Sequence, residues 1–240
     1  FRSGNSGVQI FFVISGFVMY FVHRGDAERD RSVLVDFVVK RFTRIYVPLW
    51  IVLSVLAIVY STGRVASDRT LGDLLLAFSV LPAQREGLLA VEWTLRHEVL
   101  FYALFGLFLF DRRVGTVVLV GWGAVGSLVG PFADTGWLVR FLLSPNHLLF
   151  LFGMVLGRLY VDGRIAARFA VPTVVVGTAI FAATWAVALR SEAAETVGAI
   201  DVGYGIGASL CLYGLLGLGR VPALGLPTLI GSASYSLYLV

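Results

Sequence analysis

The sequence predicts an all-α bundle of transmembrane helices, a polytopic membrane protein, and three observations carry that prediction. Only 14% of the 240 residues are charged and 58% are hydrophobic, whereas a soluble domain carries about 25% charged residues. The mean hydropathy is +0.86. The apolar residues gather into long unbroken runs, where a membrane β-barrel would show alternating segments of roughly ten residues. The 27 glycines and 18 phenylalanines also suit membrane helices, in which glycine lets backbones approach closely.

Eight apolar segments can be marked, at about 7–22, 46–60, 88–110, 114–130, 146–161, 170–189, 199–219 and 229–240. The stretch 71–81 is too short to span a bilayer and reads as an interfacial or re-entrant helix. Arginine and lysine sort the connections into two sets. Loops 23–45, 111–113, 158–169 and 220–228 carry twelve, while the alternate loops carry five: Arg64, Arg69, Arg85, Arg140 and Arg190. The first set is expected to be cytoplasmic, which places the N-terminus of the chain outside. This asymmetry accounts for the net charge of +4 without nucleic acid as a partner. Loop 61–87 is the largest external feature and a reasonable mouth for a substrate.

The first segment, Gly7-Val8-Gln9-Ile10-Phe11-Phe12-Val13-Ile14-Ser15-Gly16-Phe17, places Gly7 and Ser15 on nearly one helix face beside Gly16. A neighbouring helix is expected to pack closely there. Before the second segment comes Lys40-Arg41-Phe42-Thr43-Arg44-Ile45-Tyr46-Val47-Pro48-Leu49. Arg41 and Arg44 share one turn at the cytoplasmic edge of a helix. Guanidinium groups fork onto phosphate oxygens, but topology and lipid headgroups also demand basic residues at such a point.

The third segment breaks the apolar rule. Trp93-Thr94-Leu95-Arg96-His97-Glu98-Val99-Leu100-Phe101-Tyr102 lies within the run from Leu88 to Phe110. Ionisable groups at bilayer depth are expensive and mark functional sites by default. Thr94, Glu98 and Tyr102 recur at i, i+4 and i+8 on one face, as the wall of a polar cavity would. The bland alternative is mutual neutralisation, of Arg96 with Glu92 or of Arg96 with Glu98 near the outer surface.

Later segments carry less chemistry. Trp137–Pro145 is short and interrupted, and Asn146 is expected to cap the helix that follows. His23 reads as a solvated loop residue, and His97 and His147 as structural. Three separated histidines and the single Cys211 leave no metal site and no disulfide framework.

These pieces together resemble the membrane-bound acyltransferase-3 family. Residues 7–17 look like its glycine–phenylalanine signature, and Lys40-Arg41-x-x-Arg44-Ile45-x-x-Pro48-Leu49 is similar to its arginine pair. Glu92-Trp93-Thr94-Leu95-x-x-Glu98-x-x-Phe101-Tyr102 matches its tryptophan–leucine–glutamate–aromatic motif. Gly231-Ser232-Ala233-Ser234-Tyr235-Ser236-Leu237-Tyr238-Leu239 matches its closing serine–tyrosine motif. The wording around Trp93 to Tyr102 is nearest to members that acylate exported polysaccharides.

The resemblance implies about ten membrane helices in the complete fold. It also implies transfer of an acyl group, often acetyl, from acyl-CoA to a carbohydrate hydroxyl. Residues 1–240 are then expected to be one integral-membrane acyltransferase domain, truncated at both ends, multi-pass in the cell membrane. The family's histidine would fall upstream of Phe1, and Gln9 stands where many members carry Asp. Glu98, Tyr102 and Tyr235 are the expected catalytic residues. Arg41 and Arg44 are expected at the CoA phosphates and Trp93 against a sugar ring. No bound cofactor is expected; acyl-CoA is the cosubstrate, and the partners are lipid and a carbohydrate acceptor. A transporter or flippase for a glycan or glycolipid is the competing reading.

Overall fold

The structure is a computed structural model that describes residues 6–26, 30–61, 70–84, 87–89, 91–129, 136–190 and 197–219. Within them all the long elements are helices: α1 (Ser6–Val22), α2 (Arg31–Ser61), α3 (Leu71–Ser79), α4 (Glu92–Phe110), α5 (Arg112–Val129), α6 (Trp137–Leu142), α7 (Asn146–Val161), α8 (Ala170–Arg190) and α9 (Val197–Gly217). Seven of the expected apolar segments fall on helices, and the eighth, at 229–240, lies outside the described residues. Among the described residues five stretches are long and apolar enough to cross a membrane: Arg31–Ser61, Glu92–Phe110, Trp137–Val161, Ala167–Arg190 and Gly198–Gly217. Their outward side chains are apolar, with Val171, Val175 and Leu189 of α8 and Ile51, Val55 and Ile58 of α2 all exposed. In water such faces would aggregate; in lipid they are satisfied. The chain is a multi-pass helical membrane protein.

The chain divides into two compact units. The first comprises Phe1–Ala27 and Arg112–Val221, the second Glu28–Asp111 and Pro222–Val240.

In the first unit α1 and α7 lie side by side and run parallel. Gly16 meets the backbone of Phe150, and Gly153 meets the backbone of Val13, so closely that no side chain fits at either position. Phe12 packs on Phe150 with ring centroids 4.6 Å apart. The close packing expected of the Gly7–Ser15–Gly16 face is therefore realised at Gly16 and not at Gly7, which looks into open space. The α8–α9 pair runs antiparallel and is equally close, since a Cβ on Gly177 would stand 2.8 Å from Gly207 O. The helix directions alternate as the count of connections requires: α1, α7 and α9 run one way, and α5 and α8 the other.

Two local expectations are corrected in this unit. His23 is not a free loop residue: its Nδ1 lies 2.5 Å from the Asp26 carboxylate. The Arg112 guanidinium donates to the carbonyls of His23, Arg24 and Asp26 and so satisfies the C-terminal end of α1. Asn146 is the first residue of α7 and not its cap, because Pro145 already has helical backbone angles. Its Nδ2 donates to Ser144 Oγ at 3.2 Å instead. His147 is buried against Trp122, ring centroids 4.1 Å apart.

In the second unit α2 is the dominant element, with 31 residues and a length of about 46 Å at 1.5 Å per residue. It begins well before the apolar segment it contains. The Asp30 carboxylate starts it by accepting from the Ser32 N–H at 2.8 Å and the Ser32 hydroxyl at 2.7 Å. Arg41 and Arg44 thus stand inside a long helix and not at its edge, because helix geometry continues past the point where hydropathy falls. Helix α3 is the short apolar element expected at 71–81. A Thr70–Asp73 capping box opens it, and Val80 closes it in a left-handed conformation at φ 55. Tyr46 donates to Ser79 O at 3.1 Å and Trp50 to Phe78 O at 2.9 Å, tying the end of α3 to α2. Helix α4 runs antiparallel to α2, with Phe37 of α2 against Phe105 and Tyr102 of α4.

Candidate functional site

Eleven residues of α4 are buried, and five of them are polar or charged: Glu92, Thr94, Arg96, His97 and Glu98. The two alternatives for the charges separate cleanly. Arg96 pairs with Glu92, Nη2 to Oε1 at 3.3 Å, and also donates to Ala83 O at 3.3 Å. The pair is buried, not superficial, with Glu92 fully covered. Its i, i+4 spacing brings the two side chains to one face of the first turns. Arg96 therefore pairs with Glu92 and anchors the chain before α4, and Glu98 is left to a different set of partners.

Glu98 is 1% exposed. Its Oε1 accepts the Tyr102 hydroxyl, one turn along the same helix. Its Oε2 is buried and has no hydrogen-bond partner among the described residues. Above this pair lies the basic turn of α2. The Arg41 guanidinium carbon stands 5.2 Å from the centroid of the Tyr102 ring and 5.8 Å from that of Phe37. The positive charges of Arg44 and Arg41 both act on the Glu98 carboxylate. Four of the expected residues are thus brought together by one antiparallel helix pair: Arg41 and Arg44 from α2, Glu98 and Tyr102 from α4.

Of the other two, Trp93 stands apart from that group. Trp93 is half-buried and sits edge-on to His97, ring centroids 5.8 Å apart. Tyr235 lies outside the described residues. His97 lies 2.7 Å, through Nδ1, from the Trp93 carbonyl, and as a carbonyl only accepts, Nδ1 carries the proton. That supports the structural role expected for it. Phe37 was not singled out in the sequence, although its position four residues before Arg41 was the available signal: on a helix that spacing stacks an aromatic ring under the guanidinium.

The chemistry this arrangement can perform is limited and definite. A buried carboxylate with one open oxygen can take a hydrogen bond, and then the proton, of a hydroxyl. Two arginines within one helical turn can hold phosphate oxygens. The phenol is held by the carboxylate and lies under a cation. A cavity of about 290 Å³ in the first unit contains none of these residues. It is lined by apolar side chains such as Ile10, Ile14, Phe181 and Leu215, and its two polar side chains, Thr178 and Cys211, hydrogen-bond each other at 3.6 Å and have no ionisable neighbour in the lining, so the α2–α4 cluster is the better candidate.

Comparison with known proteins finds relatives along the whole chain. A family model described as an acyltransferase domain, the acyltransferase-3 model, matches residues 2–240. The chain is 32% identical over 258 residues to the exopolysaccharide production protein ExoZ of Rhizobium meliloti (strain 1021), an alignment covering 100% of this chain and 76% of that relative. No solved structure matches it.

Proposed function

Because the chain belongs to the acyltransferase-3 family, whose model spans residues 2–240, we propose that it moves an acyl group, acetyl in the simplest case, from acyl-CoA to a hydroxyl of an exported polysaccharide. The observation that carries this reading is the convergence of Arg41, Arg44, Glu98 and Tyr102 on one helix pair. The polysaccharide acceptor is suggested by the name of the relative ExoZ.

Each residue has a stated part. Arg41 and Arg44 hold the phosphates of the acyl-CoA, as bidentate donors do best. The open Oε2 of Glu98 receives the hydroxyl hydrogen of the acceptor sugar. The hydroxyl oxygen attacks the thioester carbonyl, the C–S bond breaks, and the proton taken by Glu98 passes to the departing thiolate. The products are an ester and free CoA thiol. Tyr102 orients the carboxylate through Oε1 and, with Arg41 over its ring, keeps that orientation fixed before substrate arrives. Trp93, half-buried before the site, supplies a sugar-stacking surface. The excess of basic residues on alternate loops supports an extracytoplasmic N-terminus.

The test is transfer of labelled acetyl from acetyl-CoA to polysaccharide in membranes containing the protein or its Glu98→Gln variant. Loss of transfer at normal protein abundance in the variant is expected. Equal transfer by both proteins removes Glu98 from the reaction, and transfer by neither removes acetyl-CoA as donor.

A further inference from the structure

The α1–α7–α9 bundle holds a second group of buried polar side chains, which the acyl transfer proposed above does not use. Gln9 Nε2 donates to the Asp201 carboxylate at 2.6 Å, joining α1 to α9. Among the described residues this is the carboxylate's one hydrogen bond, and no cationic side chain pairs with it. The amide oxygens of Gln9 and Asn146 and the hydroxyl of Tyr204 are also buried without a hydrogen-bond partner among the described residues. Gln9, Asn146 and Tyr204 are each more than nine-tenths buried.

These residues come to one level because the three helices are parallel. Phe12 lies on Phe150, and Gln9 and Asn146 precede those two by about one turn each. On α9, Gly198 packs against Pro145 and Gly205 against Leu149. Asp201 lies between the two glycines, and Tyr204 follows it by one turn, its ring tilted against that of Phe181 with centroids 4.8 Å apart. His147, on the turn that carries Asn146, is the other titratable side chain at this level, and its ring is taken up by Trp122 and Phe141.

A carboxylate without a counter-charge is costly in a lipid-embedded bundle, and so are amide oxygens without donors. We propose that Gln9, Asn146, Asp201 and Tyr204 form a binding site for a small hard monovalent cation, with sodium as the ion to test. Every available ligand atom is an oxygen, the donor type that hard cations take. One carboxylate balances one positive charge, which disfavours a divalent ion. The open oxygens of Gln9, Asn146 and Tyr204 are buried and Asp201 is half-buried, so a bare ion reaches them where a sugar or nucleotide does not fit. The site supplies the counter-charge that the fold itself omits and holds α1 to α9 through the Gln9–Asp201 pair.

The experiment is thermal unfolding of the full chain in detergent micelles, followed by tryptophan fluorescence at constant ionic strength, with sodium chloride replacing choline chloride. A saturable rise of about 5 °C is expected at a hundredfold excess of sodium over its Kd. Asp201→Asn is expected to lose that rise, and Gln9→Glu, which adds a second carboxylate, to transfer it from sodium to calcium. Equal midpoints in the two salts overturn the proposal, as does an Asp201→Asn protein that keeps the sodium effect. A midpoint that responds to pH and not to sodium makes Asp201 a proton site and overturns it as well. If Asp201→Asn does not fold, equilibrium binding of radioactive sodium to the parent protein decides: saturable uptake supports the site, and none refutes it. None of these readouts depends on acyl transfer, so failure here leaves the enzyme reading intact, and failure there leaves this one intact.

Discussion

Replacing Arg96 by methionine should be among the most damaging single changes in the second unit, although Arg96 has no proposed contact with substrate. The substitution keeps an unbranched apolar stem and removes the guanidinium. Glu92, fully buried and 3.3 Å from Arg96, is then left without its ion-pair partner. Removing one partner of a buried ion pair costs about 3–5 kcal/mol, because the remaining charge keeps its desolvation penalty. The donation to Ala83 O is lost too, at about 1 kcal/mol. For a chain of this size that corresponds to a fall of about 10 °C in the unfolding midpoint. The assay is thermal unfolding in detergent of Arg96→Met, Glu92→Leu and the double variant. The double variant should recover most of the loss, since replacing both charges by apolar groups removes the penalty along with the attraction. A midpoint for Arg96→Met within a degree or two of the parent, or a double variant no better than the worse single one, refutes the reasoning.

Other outcomes follow from the same geometry. Arg41→Lys keeps the charge but loses the planar face above Tyr102 and Phe37; KM for acyl-CoA should rise about tenfold with little change in kcat, measured by initial rates. Gly153→Ala places a Cβ into the backbone of Val13, whereas Gly7 has nothing within 4 Å. The first should lower the unfolding midpoint by several degrees, at about 1–3 kcal/mol, and Gly7→Ala should leave it level or raise it. Tyr46→Phe combined with Trp50→Phe removes both hydrogen bonds that tie α3 to α2, so hydrogen exchange in α3 should quicken by about tenfold or more. Asp30 is held below the ordinary carboxylate value of 3.8, first by the Ser32 hydroxyl and then by the Ser32 N–H. A depressed value means that its contribution is present above pH 3.8 and fades as pH falls through the lowered value. Asp30→Ala should therefore weaken the start of α2 at neutral pH and change nothing in strong acid, as read from amide exchange at Leu34.

Hydropathy located the helices because a lipid-facing helix has no freedom in its composition, and segment after segment of the chain obeyed that constraint. It located their ends less well. The start of α2 was invisible to hydropathy, since residues 31–45 interleave apolar residues with Asp36 and the basic Arg31, Lys40, Arg41 and Arg44 and the Asp30 cap decides where the helix begins; Arg41 and Arg44 consequently moved from the edge of a helix to its interior. The i, i+4 logic of a single helix anticipated the Glu98–Tyr102 pair and offered the Glu92–Arg96 pair as one of two choices. It could not choose, because burial decides that question and burial is a tertiary property. Gln9 and Asp201, 192 residues apart, meet only after α1 and α9 have packed, and no local pattern announces them. Gln9 stood out in the sequence only as the position where many members of the family carry Asp.

The contact of α1 with α7 also constrains how the protein can be made. The two helices share backbone surface at Gly16 and Gly153, yet roughly 130 residues separate these positions and translation proceeds at about 5–20 residues per second. Helix α1 therefore waits about 7 to 27 seconds for its partner, while α2 to α6 are synthesised. Throughout that interval its glycine face has only lipid or a substitute helix to lie against. Assembly of the first unit is thus a late event in biogenesis, and α1 spends its early life as a helix whose closest neighbour does not yet exist.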